Sequence, residues 1–121
     1  MSTSLSDQNT PVADLKKLVG QFIEERQWSG YHSPKNVAIS IVLEAAELLE
    51  HFQWWHPKPG EIDEQQKIAI GEEMADVLAY LLSLSIVMDV DLASTLQKKM
   101  EKNKMKYPSA KFQGNWEKVE L

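Results

Sequence analysis

Residues 43–55 read LEAAELLEHFQWW, an apolar run with Glu44 and Glu47 set inside it. Leu43, Leu48 and Leu49 continue a pattern begun by Val37, Ile39, Ile41 and Val42, so the spacing predicts one helix from Ser33-Pro34 to about Phe52. Serine before proline opens a helix well: the hydroxyl satisfies a free backbone N–H, and proline has none to lose. A helix apolar on most sides is expected at the centre of a fold. Burying carboxylates in it then needs a reason.

Upstream, Thr10-Pro11 is a second start signal, and Leu15, Leu18, Val19, Phe22 and Ile23 form one stripe of a helix reaching about Gln27. Downstream, HPKPG at 56–60 is a loop by composition. A third helix follows over roughly residues 61–87, with Ile62, Ile68, Ile70, Met74, Val77, Leu78, Leu81 and Leu82 inward. Asp89 or Asp91 caps a fourth, which turns Leu92, Leu96 and Met100 inward and ends before Pro108. No strand-like alternation or repeat interrupts the series. The expected architecture is all-α, a four-helix bundle with up-and-down connections over residues 10–108. A polar, disordered tail is expected at 1–9 and an irregular one at 109–121.

Composition narrows the function. A chain of 121 residues with 43% hydrophobic and 26% charged content is one ordinary globular domain. It has no cysteine, which removes disulfides, thiolate zinc sites and cysteine nucleophiles together. The opening MSTSLSDQNTP lacks a basic and an apolar region, and the longest apolar stretch, residues 77–88, is too short to span a bilayer. A cytoplasmic protein without a membrane partner is expected. A net charge of -5 argues against binding a nucleic acid polymer. The charge is uneven, however: residues 98–111 carry six Lys against one Glu. That segment either holds a small phosphorylated ligand or simply complements a helix C-terminus.

Five acidic pairs stand at i, i+3: 44/47, 47/50, 61/64, 73/76 and 117/120. Spacing alone separates nothing, but surroundings do. Glu44 and Glu47 lie among Ile41, Val42, Leu43, Leu48 and Leu49, and Glu73 and Asp76 lead into the most apolar stretch of the chain. Positions i and i+3 share a helix face, about 5–6 Å apart at Cβ. Antiparallel packing of the second and third helices would bring the two pairs opposite each other. Four buried, unpaired carboxylates would repel or stay protonated, and a divalent cation removes both difficulties. Oxygen ligands alone suit Mg²⁺ or Mn²⁺. The competing reading, that the acids face solvent or pair with Lys and Arg, is equally open on spacing and context. A redox di-iron bundle wants Glu-x-x-His, and His32, His51 and His56 have Ser29, Leu48 and Gln53 three residues before them. His51, at i+4 from Glu47, either supports the acids or is an exposed histidine. Phe52 and Met100 read as core, and Trp55 as a loop or interface residue.

EAAE at 44–47 followed by EMAD at 73–76 matches the E-x-x-E, E-x-x-D signature of the MazG-like all-α nucleoside triphosphate pyrophosphohydrolases. ERQWSGYHSPKN, LEAAELLEHFQW, GEEMADVLAYLL and KMEKNKMKYP, in that order over about residues 22–108, resemble the dCTP pyrophosphatase branch of that family. One departure is Leu43, where many relatives carry a second acid, leaving one metal contact without a donor. The resemblance implies cleavage between the α- and β-phosphates of dCTP or a modified dCTP, giving dCMP and pyrophosphate, in pool control or house-cleaning. It implies Mg²⁺, or Mn²⁺ in its place, on Glu44, Glu47, Glu73 and Asp76, polarising phosphoryl oxygens. Glu47 and Glu72 are both candidates for activating water. Lys99, Asn103 and Lys106, with Tyr107, match a K-x-x-x-N-x-x-[KR]-Y-P pattern and would contact the triphosphate.

By the same resemblance Trp28 and Trp54 would flank the base, a contact worth about 1–3 kcal/mol per stacked ring; both are also reasonable core residues. His32 and Asn36 would reach the base edge or sugar, and Tyr80 the sugar. The second helix is apolar nearly all round, so a further subunit is expected on it, and the resemblance implies a homotetramer built as a dimer of dimers. Two other functions are carried forward: a broad dNTP or dUTP-type pyrophosphatase, and a non-catalytic helical module whose acids form a partner surface.

Overall fold

The computed structural model describes residues 4–114, and all regular structure among them is helical. Helices α1 (Val12–Glu25), α2 (Pro34–Glu50), α3 (Glu64–Met88), α4 (Leu92–Lys106) and the one-turn α5 (Ser109–Phe112) are joined in part by 3₁₀ turns at Ser29–Tyr31 and Pro59–Glu61. The all-α expectation holds. The chain divides into two compact units, Met1–Asp89 and Val90–Leu121.

In the first unit each helix end has a local cause. Thr10 does not cap α1; its Oγ1 accepts from the Ser6 N–H at 3.2 Å, and Pro11 occupies the N-cap position. Ser6 also donates to Asn9 Oδ1 at 2.9 Å, so residues 6–10 close into a turn. Helix α1 stops two residues before the expected Gln27, which has φ 55 and swings the chain so that the Trp28 N–H reaches Ile23 O at 3.0 Å. Ser33 caps α2 as read, accepting from Asn36 N at 3.2 Å with Pro34 following. Helix α3 begins at Glu64 rather than Glu61, because Asp63 and Gln66 form a reciprocal box: Gln66 N to Asp63 Oδ1 at 2.8 Å and Asp63 N to Gln66 Oε1 at 2.9 Å. It ends at Asp89, in the left-handed region at φ 53.

Helix α3 packs against both α2 and α1. The α2–α3 register is antiparallel, since His51 meets Glu73, Glu44 shares a cavity with Asp76, and Val37 and Ser40 share one with Tyr80. Among the described residues Val37 and Leu82 are the buried apolar ones, and the hydroxyls of buried Ser83 and Ser85 bond back to Ala79 O (2.9 Å) and Leu82 O (2.6 Å). Back-bonding satisfies them without any outside partner. Helix α2 is not enclosed within one chain: Ile39, Val42, Leu43 and Leu49 remain exposed, with Val42 at 67%. Phe52 is half-buried and stacks on Trp55, with ring centroids 6.1 Å apart. No single helix among the described residues is long and apolar enough to cross a membrane.

In the second unit Asp91, not Asp89, caps α4, accepting from Ser94 N at 2.9 Å. Met100, expected inward, is 48% exposed. The stretch after Pro108, expected to be irregular, begins with α5, whose Phe112 meets the Tyr107 ring edge-on at 5.3 Å. Residues 1–3 and 115–121 of the expected tails lie outside the described residues.

Candidate metal centre and adjoining cavities

The antiparallel register sets Glu44 and Glu47 of α2 opposite Glu73 of α3. Each offers one carboxylate oxygen, and these oxygens lie within 4.8 Å of one another. Asp76 shares a cavity lining with Glu44 and raises its pKa through charge. Glu47 is exposed, while Glu44 and Glu73 are half-buried. The inward oxygens, Glu44 Oε2 and Glu73 Oε2, are closed to water and have no hydrogen-bond partner among the described residues. Buried acceptors are rarely left so. A divalent cation fits here: it would occupy both orphaned acceptors, and a set of carboxylate oxygens suits a hard ion.

Repulsion within the cluster shows in protonation. The Glu44 carboxyl is raised from 4.5 to about 7, first by its hydrogen bond with Glu47, then by burial, then by the charges of Glu47, Asp76 and Glu73. The sign follows. Below the unfolded value of 4.5 the proton is held in both states; as pH rises towards 7 only the folded chain keeps it, so this contribution to stability is lost between those values. A cation must displace that proton. Calorimetric titration with Mg²⁺ is therefore expected to show affinity rising up to about tenfold per pH unit below 7 and levelling off above. A flat profile from pH 5.5 to 8 would remove Glu44 from the ligand set.

Beside the acids lies a cavity of about 490 Å³. Leu18, Val19, Phe22 and Ile23 of α1 form one wall, Trp28 and His32 the entry loop, and Glu44, Asp76 and Tyr80 the side nearest the acids. A second cavity, about 290 Å³, shares Trp28, His32 and Tyr80 and adds Tyr31, Asn36 and Ser40. Phe22 holds Trp28 edge-on at 5.7 Å, and Asn36 Nδ2 donates to Tyr31 O at 3.3 Å. His32 Nδ1 is buried with no partner among the described residues, a polar atom left for a ligand.

Of the residues singled out in the sequence, Glu44, Glu47, Glu73, Asp76, Trp28, His32, Asn36 and Tyr80 thus converge. Trp54 does not join these linings; on the loop after α2 it is 91% exposed. Glu72 is exposed and outside the cluster of three acids. Lys99, Asn103, Lys106 and Tyr107 belong to the second unit, where Tyr107 ends α4 with its N–H on Asn103 O at 2.7 Å and Lys106 Nζ lies 5.3 Å from the Tyr107 ring. Sequence reasoning missed the cavity wall of α1, because an amphipathic stripe reads as core whether or not it leaves space beside it. Tyr31 and Ser40 were missed too, and nothing in their spacing marks them.

Glu44 and Glu47 of one helix and Glu73 of its antiparallel neighbour thus each offer a carboxylate oxygen to one point beside a largely apolar cavity, a donor set that suits a hard divalent cation. The MazG-like family model matches residues 39–120, and the chain belongs to that family. It is 37% identical to dCTP pyrophosphatase 1 of Mus musculus over 98 residues, 78% of this chain and 58% of the relative. Against dCTP pyrophosphatase 1 of Homo sapiens the identity is 36% over 99 residues, 79% and 58% of the two chains. The chain thus spans about three fifths of the length of these curated relatives. A solved pyrophosphatase from Archaeoglobus fulgidus superposes with a TM-score of 0.74 at 40% identity, covering 87% of this chain and 99% of that one.

Proposed function

We propose that the protein is a Mg²⁺-dependent nucleoside triphosphate pyrophosphohydrolase that cleaves dCTP, or a modified dCTP, between the α- and β-phosphates. The observation that carries this reading is the pair of orphaned carboxylate oxygens on Glu44 and Glu73, with Glu44 lining a cavity that also holds the Trp28 ring and the His32 imidazole, both shared with a second cavity that adds the Asn36 amide. Similarity to dCTP pyrophosphatases in mouse and human supports the choice of base. Glu44, Glu47, Glu73 and Asp76 hold the cation, which when bound neutralises charge on phosphoryl oxygens. Glu47 is favoured over Glu72 for taking the proton of the attacking water, since it lies in the cluster and Glu72 outside it. Trp28 and Tyr80 bracket the nucleoside, and His32 and Asn36 supply hydrogen bonds to the base edge or sugar. For Lys99, Asn103, Lys106 and Tyr107 the role that the family pattern implies is kept, contact with triphosphate oxygens, the two lysines by charge and Asn103 and Tyr107 by hydrogen bonds. A cytoplasmic site of action is part of the same proposal.

Thermal unfolding separates this from a non-catalytic module. Mg²⁺ together with a non-hydrolysable α,β-methylene dCTP should raise the melting temperature well beyond either alone, because ligands that bind only the folded chain stabilise it by mass action. No shift with any nucleotide would favour the module with an acidic partner surface.

The assembly belongs to the same reading. Val42, Leu43 and Leu49 on α2 and Ile68 and Met74 on α3 are each more than half exposed, large apolar side chains that a further subunit would cover. A homotetramer, built as a dimer of dimers, covers these faces and can bring Trp54 of one chain to the cavity of another. Light scattering on the eluting protein is expected to give about four times the 13.8 kDa chain mass. A single 13.8 kDa species at micromolar concentration would contradict it.

A further inference from the structure

The geometry points to His51 as a positioning residue for the metal centre, holding the Glu73 carboxylate so that one oxygen is committed to the cation. The inference rests on the centre proposed above. Glu73 divides its two oxygens: Oε1 faces His51 Nε2 at 3.9 Å, while Oε2 is the buried oxygen without a partner. Glu47, Glu50, His51 and Glu73 line one cavity of about 480 Å³. Of these four side chains His51 alone carries a nitrogen donor, so among them no other group can turn Oε1 away from the cluster.

The imidazole is well placed to do so. His51 stands four residues after Glu47, hence on the same α2 face, and its backbone is pinned as the C-cap of the helix, its N–H reaching Leu48 O and Leu49 O. A glutamate has several rotatable bonds and, facing an open cavity, would otherwise swing towards water. The present 3.9 Å is too long for a hydrogen bond; an approach of about 1 Å makes one. Groups that orient a ligating carboxylate in this way commonly govern affinity for the ion although they never touch it. Glutamine can place an amide N–H where the imidazole Nε2 stands, so it tests the donor separately from the ring.

Mn²⁺ alone, followed by electron paramagnetic resonance on the full chain, gives affinity and ligand identity without turnover. Relative to wild type, His51→Ala is expected to bind Mn²⁺ about 10- to 100-fold more weakly and His51→Gln within about threefold, with unchanged helix content in both. The wild-type spin-echo modulation should lack the ¹⁴N coupling of a bound imidazole. His51→Ala at wild-type affinity, with Glu44→Gln weakened, would overturn the role of His51 and leave the centre standing. A ¹⁴N coupling present in wild type and lost in His51→Ala would overturn it differently, making His51 a ligand. Wild type binding no better than Glu44→Gln would remove the centre itself.

Discussion

Glu47→Gln is expected to abolish pyrophosphate release while the protein keeps its helix content. Glu47 is exposed on α2, and glutamine is a good helix former of the same length, so nothing in the fold depends on its charge. The cluster does depend on it. Glu47 is the neighbour that most raises the Glu44 pKa, and it contributes one of the three oxygens within 4.8 Å. Removing a group that stabilises transition-state charge typically costs about 10²–10³ in kcat, and loss of a cation ligand should cost at least that much. Steady-state assays with far-UV circular dichroism check both halves. Glu72→Gln, outside the cluster, should retain most activity. A folded Glu47→Gln protein with full turnover would take that residue out of the chemistry.

Leu82→Ala should produce the largest loss of stability by a single substitution in the first unit. Leu82 is 3% exposed on α3, the helix that packs against both α1 and α2. Truncating it loses transfer energy and leaves a cavity, together about 2–5 kcal/mol. Domains of this size have about 5–15 kcal/mol in all. Urea unfolding at a fixed protein concentration would measure it, with Met105→Ala, 83% exposed, as a comparison expected to change stability by about 0.5 kcal/mol or less. Equal midpoints for the two variants would mean that Leu82 does not anchor the core.

The helices were legible because their signals are local. Ser33-Pro34 and the apolar period of α1 act within a few neighbours, and each produced an element near its expected place. Ends were less legible where two local signals compete. Asp63 with Gln66 outweighs Glu61 as the start of α3, and Asp89 closes one helix instead of opening the next. The acid pairs were visible from i, i+3 spacing in apolar surroundings, and an antiparallel register then set them opposite each other. Burial was not legible: Val42, Leu43 and Leu49 read as core by hydropathy, yet one chain offers them no cover. Periodicity says which face is apolar and not what lies against it. For the same reason His51 could be placed on the acid face from spacing, while its approach to one particular oxygen of Glu73 could not.

A cut between the α- and β-phosphates at the acid cluster leaves a distinctive pair of products. The most direct test incubates the purified protein with Mg²⁺ and each of dATP, dCTP, dGTP, dTTP, dUTP and 5-methyl-dCTP, quantifying monophosphate, diphosphate, pyrophosphate and orthophosphate separately. The expected result is dCMP and pyrophosphate in equal amounts, with dCTP or its 5-methyl form turned over fastest and no dCDP formed. Release of orthophosphate with dCDP, or no release from any nucleotide by a protein shown to be folded, would contradict it.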